Sequence, residues 1–177
     1  DATKLYNHFL DYGVKEGREA SPIFNIKYYA ANNAHVKEMF GNDRVAIMEY
    51  YMTVGYKEAC YTAAHSDLGD NFYATIGAAI TASNVVSFSG TNVAMYKKDS
   101  SDNQIWHFIK QANGTYEIVN LANGLALTVE NNGLDAMTNV ILAKNVHASG
   151  QQWFLYETTG GYYLRPLCTG ECVLDIY

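Results

Sequence analysis

One spacing organises the second half of this sequence. Asn92, Gln104, Trp106, Gly114 and Tyr116 recur 47 positions later as Asn139, Gln151, Trp153, Gly161 and Tyr163. The same shift carries Ile80 and Thr81 onto Leu127 and Thr128, and those onto Leu174 and Asp175. A repeat of this length is one supersecondary unit that cannot bury its apolar face alone, so successive copies must share an interior. Within each copy the apolar runs are short and end in turn pairs: Ser89-Gly90, Asn113-Gly114, Asn123-Gly124, Asn132-Gly133, Gly160-Gly161. Asn-Gly between short apolar runs is the strongest local hairpin signal. The chain from Phe72 onward therefore reads as all β.

The first half repeats differently. Leu5, Phe9, Leu10, Gly13, Lys15 and Glu16 meet Ile47, Tyr51, Met52, Gly55, Lys57 and Glu58 at a shift of 42. Each copy is an apolar helical stretch, then Gly, then Lys-Glu. Asn25 is placed to cap a helix, with Phe24 and Tyr29 as a hydrophobic staple. Gly41 ends that helical stretch, and Asn42 or Asp43 opens the next. Val45 to Val54 is apolar almost all round, which demands neighbours on most sides, and Gly55 ends it. The two patterns meet between Tyr61 and Asp70. We therefore expect an α+β chain of two domains: a small all-α repeat domain over 1–67 and an all-β domain over 68–177.

Composition narrows the function. Twelve Lys and Arg are scattered through a chain of net charge −6. Nucleic-acid binding needs clustered cations to displace counterions, so that class is excluded. No stretch approaches the ~18 apolar residues of a membrane-spanning helix, so no membrane partner is expected. Tyr is abundant, at 15 residues, which suits contact with sugar or protein. Three cysteines are too few for a disulfide framework and match no zinc spacing. Cys168 and Cys172 flank Thr169-Gly170-Glu171, where a turn would let them bridge in an oxidising compartment or stay reduced; Cys60 is left as a free thiol. The chain opens at Asp1 without a signal peptide and reads as a mature or excised fragment.

No catalytic set emerges. The five His form no pair four apart with an acid between, and no Gly-x-Ser-x-Gly elbow or phosphate loop occurs. Cys168 has no His nearby in sequence to act as its base. Asp99, Asp102 and Asn103 read as a solvated turn rather than a cation site. We expect no metal, no cofactor and no catalytic residue in this chain.

The Gln-x-Trp motifs Gln104-Ile105-Trp106 and Gln151-Gln152-Trp153, with Asn113-Gly114-Thr115-Tyr116-Glu117-Ile118 after the first, resemble the ricin-B-type lectin family. The resemblance covers Phe72 to Tyr177 and implies a β-trefoil of three lobes about a pseudo-threefold axis. It implies that Gln104, Trp106, Gln151 and Trp153 are structural core; the physics agrees, because a Trp buries ~200 Å² and anchors one lobe on the next. With lobes starting at Tyr73, Asn120 and Leu167, the third would run about 36 residues past Tyr177. The chain would then supply only its first strand, Cys172 to Tyr177. Either the fragment is clipped and a further segment completes the lobe, or a partner chain completes it, or this β domain is looser than its relatives.

The family's sugar sites combine an Asp that accepts from two hydroxyls, an aromatic platform about fifteen residues on, and an Asn beside Gln-x-Trp. Carried over, lobe one holds Thr81 at the Asp position, Tyr96 as platform and Asn103 before Gln104. Lobe two holds Thr128, Ala143 and Gly150, so it lacks all three groups. Lobe three keeps Asp175. The candidate carbohydrate-binding residues are thus Asp175, Tyr96 and Asn103, with a host or cell-wall glycan as partner.

The helical half resembles a short repeat of Gram-positive secreted and surface proteins. Tyr28-Tyr29, Phe40-Gly41 and Gly13-Val14-Lys15-Glu16-Gly17-Arg18 carry that likeness over Leu5 to Ala59, with a second short helix before the Phe-Gly turn. Ala59-Cys60 and Tyr50 depart from it in the second copy. Together the two resemblances imply a non-catalytic targeting module of a secreted or cell-surface bacterial multidomain protein. The alternatives are a structural or protein-interaction spacer with decayed sugar sites, or a non-catalytic fragment of a cell-wall or glycan hydrolase.

Overall fold

The computed structural model describes residues 2–19, 21, 23–58 and 60–175. The chain divides into two compact units. One runs through Ala64 and takes in Thr169–Glu171; the other holds His65–Cys168 and the residues from Cys172 on. The boundary thus falls three residues before the expected one. Residues 65–67 belong to the β unit by their bonds: Ser66 N–H donates to Leu155 O, and Asp67 meets Lys110 and the Tyr116 hydroxyl. Gly170 returns to the helical unit, where its N–H donates to Tyr56 O and its carbonyl accepts from the Tyr51 hydroxyl.

The helical unit contains α1 (Ala2–His8), a π-helical turn (Phe9–Gly13), α2 (Val14–Glu16), α3 (Ile26–Asn32), α4 (Ala34–Phe40) and α5 (Arg44–Thr53). Asn25 caps α3 by accepting the Tyr28 N–H at 2.9 Å. The Phe24 and Tyr29 rings lie 5.5 Å apart, the contact of the staple. Asp43 caps α5 by accepting from Val45 and Ala46. The stretch from Ile26 to Phe40 is broken at Asn33, whose buried amide donates to Tyr29 O and Tyr61 O and accepts the Tyr61 N–H. These bonds hold Asn33 out of helical geometry. The 42-residue repeat is only partly expressed. Gly13 lies inside the helical run, which ends instead at Gly17 with φ 81°, and Ile47 is buried where Leu5 is exposed.

The β unit contains β1 (Asn71–Ala74), β2 (Gly77–Ala78), β3 (Thr81–Ser89), β4 (Asn92–Lys97), β5 (Trp106–Lys110), β6 (Tyr116–Asn120), β7 (Ala126–Val129), β8 (Val140–Ala143), β9 (Gln152–Thr158) and β10 (Gly161–Pro166). Antiparallel pairs β1–β5, β5–β6, β6–β9 and β9–β10 build the barrel wall. Hairpins β3–β4 and β7–β8 join each other where Asn92 meets Ile141. This is the β-rich trefoil-like half of an α+β chain. The expected turn pairs all sit at reversals, and Gly90, Gly114 and Gly124 take positive φ there.

Trp106 and Trp153 lie in one apolar cluster with Phe108, Ile118 and Leu127, both fully buried. Each indole N–H reaches a hairpin carbonyl of its own lobe, Trp106 to Val86 O at 3.1 Å and Trp153 to Leu127 O at 3.0 Å. Gln104 and Gln151 are buried beside them and close matching loops. Gln104 donates to Lys97 O and accepts from Asp99 N; Gln151 donates to Lys144 O and accepts from Val146 N.

Two expectations need correction. The indole bonds make Val86, not Ile80, the counterpart of Leu127; Ile80 is 84% exposed. The spacing is 47 from Met95 to Leu142 but 41 from Val86 to Leu127, because the turn between β3 and β4 is shorter than that between β7 and β8. The strand expected over 172–177 does not form across the described residues 172–175. The third lobe is entered earlier, by β10, and Leu174 N–H donates to Leu164 O on it.

Removing one anchor tests this packing. Trp106→Ala is expected to cost ~3–5 kcal/mol in urea unfolding of the β unit, the range for emptying a buried aromatic site. Trp106→Phe keeps most of the volume, leaves Val86 O unpaired, and should cost ~1–3 kcal/mol.

Candidate functional site

Strand alternation decides which side chains of the β3–β4 hairpin face outward. Val86 and Met95 oppose each other and pack against the core. Val85 opposes Tyr96, and Ser87 opposes Ala94, on the other face, where Val85 and Ser87 are covered and Ala94 and Tyr96 are exposed. Tyr96 keeps 38% of its surface exposed. Asn103 is exposed at the far end of the loop that Gln104 ties back to Lys97 O. The Ser87 hydroxyl donates to Asn103 O at 3.2 Å, and Asn120 Nδ2 donates to the same oxygen at 2.9 Å. Tyr96 and Asn103 therefore border one closed loop whose backbone is held from two sides.

The carboxylate position is different from the one read in sequence. Thr81 is exposed at the start of β3, and the counterpart of Thr128 is Ser87. Both hydroxyl residues are buried, and Thr128 donates to Ala126 O and accepts from Gln151. Sequence reading missed Ser87 because one fixed shift was applied across a hairpin of changed length. The signal was present: Val85-Val86-Ser87-Phe88 matches Ala126-Leu127-Thr128-Val129 as apolar, apolar, hydroxyl, apolar. Asp175 is exposed and follows Leu174 beside β10, away from the β3–β4 hairpin that carries Tyr96. The structure brings Tyr96 and Asn103 to one loop and does not bring Asp175 to them.

Lobe two offers no platform: Ala143 stands there, and Gly150 N–H is taken by Asn132 Oδ1 at 2.8 Å. It does hold a buried carboxylate that the sequence did not reveal. Glu117 on β6 accepts from Asn145 Nδ2 at 2.6 Å and meets His147 Nδ1 at 2.6 Å. Both oxygens are thus engaged by the turn after β8, and burial of Glu117 closes the carboxylate to a sugar hydroxyl. Among the described residues no three His, Cys, Asp or Glu side chains gather to hold a metal ion.

The Cys168–Cys172 bridge is not formed. Both are free thiols, and each leans on a different carbonyl, Cys168 on Gly133 O and Cys172 on Leu134 O. Burial pushes the Cys168 thiol up to about 11, which keeps it protonated and unreactive at neutral pH. Cys60 is also buried and reduced, its thiol donating to Gly55 O.

The sequence family described as Ricin-type beta-trefoil lectin domain-like matches residues 69–143 and 102–177. That is more than half of the chain, and the chain belongs to this family. Among solved structures, a mosquitocidal holotoxin is 18% identical with a TM-score of 0.56, over 66% of this chain and 14% of its own. Polyporus squamosus lectin, bound to the epitope Neu5Aca2-6Galb1-4GlcNAc, is 16% identical with a TM-score of 0.52, over 59% of this chain and 39% of its own. An arabinofuranosidase complexed with arabinofuranosyl-alpha-1,2-xylobiose is 11% identical with a TM-score of 0.54, over 67% of this chain and 27% of its own. The chain thus spans well under half the length of each, and at these identities the likeness is one of fold. No curated protein matches the sequence.

Charge at the start of the β unit sets a pH dependence. The Lys110 ammonium on the Asp67 carboxylate, helped by the Gly69 N–H, holds Asp67 below its usual 3.8. The same carboxylate raises Lys110, and burial raises the Tyr116 hydroxyl that bonds the 67–69 segment. A lowered carboxylate contributes stability above its unfolded value and loses it as pH falls through the folded one. Raised Lys and Tyr groups contribute below their unfolded values, 10.5 and 10.0, and lose that contribution as pH rises through the folded ones. The thermal midpoint difference between the wild type and Asp67→Asn should hold constant from neutral pH down to about 3.8, then close below it. A difference unchanged at pH 2 would show that the ion pair contributes nothing.

Proposed function

We propose that this chain is a non-catalytic carbohydrate-binding module, with its principal site in lobe one at Tyr96 and Asn103. The observation that carries the reading is the closed loop itself. An exposed aromatic and an exposed amide border a backbone fixed by Gln104, Ser87 and Asn120, so a sugar ring can stack on Tyr96 while Asn103 bonds its hydroxyls. Membership of a lectin-like family supports the ligand class. Asp175 is proposed as a separate hydroxyl acceptor in lobe three, completed by a partner chain or a further segment.

One site of this kind binds weakly, and its use is to raise the local concentration of whatever it is attached to. We place it in a secreted or cell-surface protein of a Gram-positive bacterium, with the helical unit as spacer or dock. The parent protein is proposed to be multidomain, a cell-wall or glycan hydrolase among the possibilities for its other parts.

A second reading is favoured by one observation: buried hydroxyls, Ser87 and Thr128, stand where the family's sugar-binding carboxylate is expected. On that reading the sites have decayed and the β unit is a structural or protein-interaction spacer. A glycan array on the wild type, Tyr96→Ala and Asp175→Ala separates the two. The module predicts saccharide binding that falls about tenfold in Tyr96→Ala, equivalent to ~1.4 kcal/mol, and a further loss when Asp175→Ala is added. No binding by the wild type, or binding untouched by both changes, would favour the spacer.

A further inference from the structure

A different face of the β unit carries an aromatic platform away from the hairpin loops. Phe72 and Ala74 of β1 pack on the core, so Asn71 and Tyr73 face outward. The register continues this face across β5 through His107, opposite Tyr73, and Ile109, opposite Asn71. On β6 it continues through Val119, opposite His107, and Glu117, opposite Ile109. The Tyr73 ring lies flat on the His107 imidazole, centroids 4.3 Å apart and planes 12° from parallel. Tyr73 is nevertheless 60% exposed. The stack fixes its orientation without covering it.

The same outward position one repeat on shows what a purely structural ring looks like here. Phe154, 47 residues after His107, is fully buried. His65 stacks on it at 4.9 Å, and the Arg165 guanidinium lies 4.8 Å from its centroid. The chain seals that ring with its own side chains, whereas its lobe-one counterpart, His107, carries the open Tyr73 ring of the neighbouring strand.

The chemistry around Tyr73 selects the ligand. The charges bordering the face are paired within the protein: Lys110 with Asp67, and Glu117 with His147 and Asn145. Asn71 Oδ1 accepts the Lys110 N–H, so its Nδ2 donors are the part left for a ligand. A flat, oriented ring flanked by amide and imidazole, with Lys110 and Glu117 already paired, matches a neutral pyranose, whose C–H face stacks and whose hydroxyls take the donors. A ring already held in place loses little rotamer freedom on binding. We propose that Tyr73, His107 and Asn71 form a second site for neutral saccharides on the barrel wall, separate from the lobe-one loop. It rests on the reading of the β unit as a saccharide binder and adds a contact surface to it.

Titration of the full chain with lactose, chitotriose and xylotriose, followed through the His107 imidazole resonances by NMR, tests this. At least one saccharide should move those resonances saturably. Tyr73→Ala should raise the dissociation constant read there about tenfold, Tyr73→Phe should restore it, and Tyr96→Ala should leave it unchanged. The site is overturned if none of the three moves His107, if Tyr73→Ala binds as the wild type does, or if Tyr96→Ala abolishes the shift. It is also overturned if the resonances respond to protein concentration alone, since a second copy would then occupy the face. Array binding sensitive to Tyr96 alone would leave the lobe-one reading standing and remove this one. A His107 shift in a protein indifferent to Tyr96→Ala would do the reverse.

Discussion

An indole can be buried whole only if its N–H finds an acceptor, because an unpaired donor in the interior costs ~1–3 kcal/mol. Here each of two indoles finds that acceptor on the hairpin of its own lobe: Val86 O for Trp106 and Leu127 O for Trp153. The bond fixes where the hairpin lies on the barrel strand, and the ring fills the interior the lobes share. The neighbouring Gln then ties the loop that leads into the strand. Hairpin, loop and barrel strand of a lobe are thus positioned by one Gln-x-Trp motif.

Those positions explain the unequal lobes. The Gln loop is built alike in both, so its outer rim is free to vary without cost to the core. Lobe one places Tyr96 and Asn103 on that rim. Lobe two places Ala143 and Gly150 there, and uses its polar groups internally, with Glu117 holding Asn145 and His147. The same economy separates Tyr73, left open on its strand, from Phe154, sealed between His65 and Arg165.

Much of this was readable from residues. The Trp and Gln spacing identified the β half, its turns and its core, since burial of a large ring and reversal at Asn-Gly are local consequences of side-chain chemistry. Asn25 and Asp43 announced their helices for the same reason. The carboxylate position was misread because a hairpin turn can change length without disturbing the indole that anchors it, and only the bond to Val86 reveals the shift. Three-dimensional pairings left no trace at all: Glu117 and His147 are 30 positions apart and Tyr73 and His107 are 34, and no local pattern joins them. The cysteines show the same limit, because their spacing permits a bridge without requiring one.

The shared interior is tested most directly by hydrogen exchange at the two indole N–H groups in D2O. If one cooperative core holds both rings, Trp106 and Trp153 open only with global unfolding, and their exchange should be equally slow and equally accelerated by low urea. One indole exchanging orders of magnitude faster than the other would place the rings in separately opening cores and contradict the account.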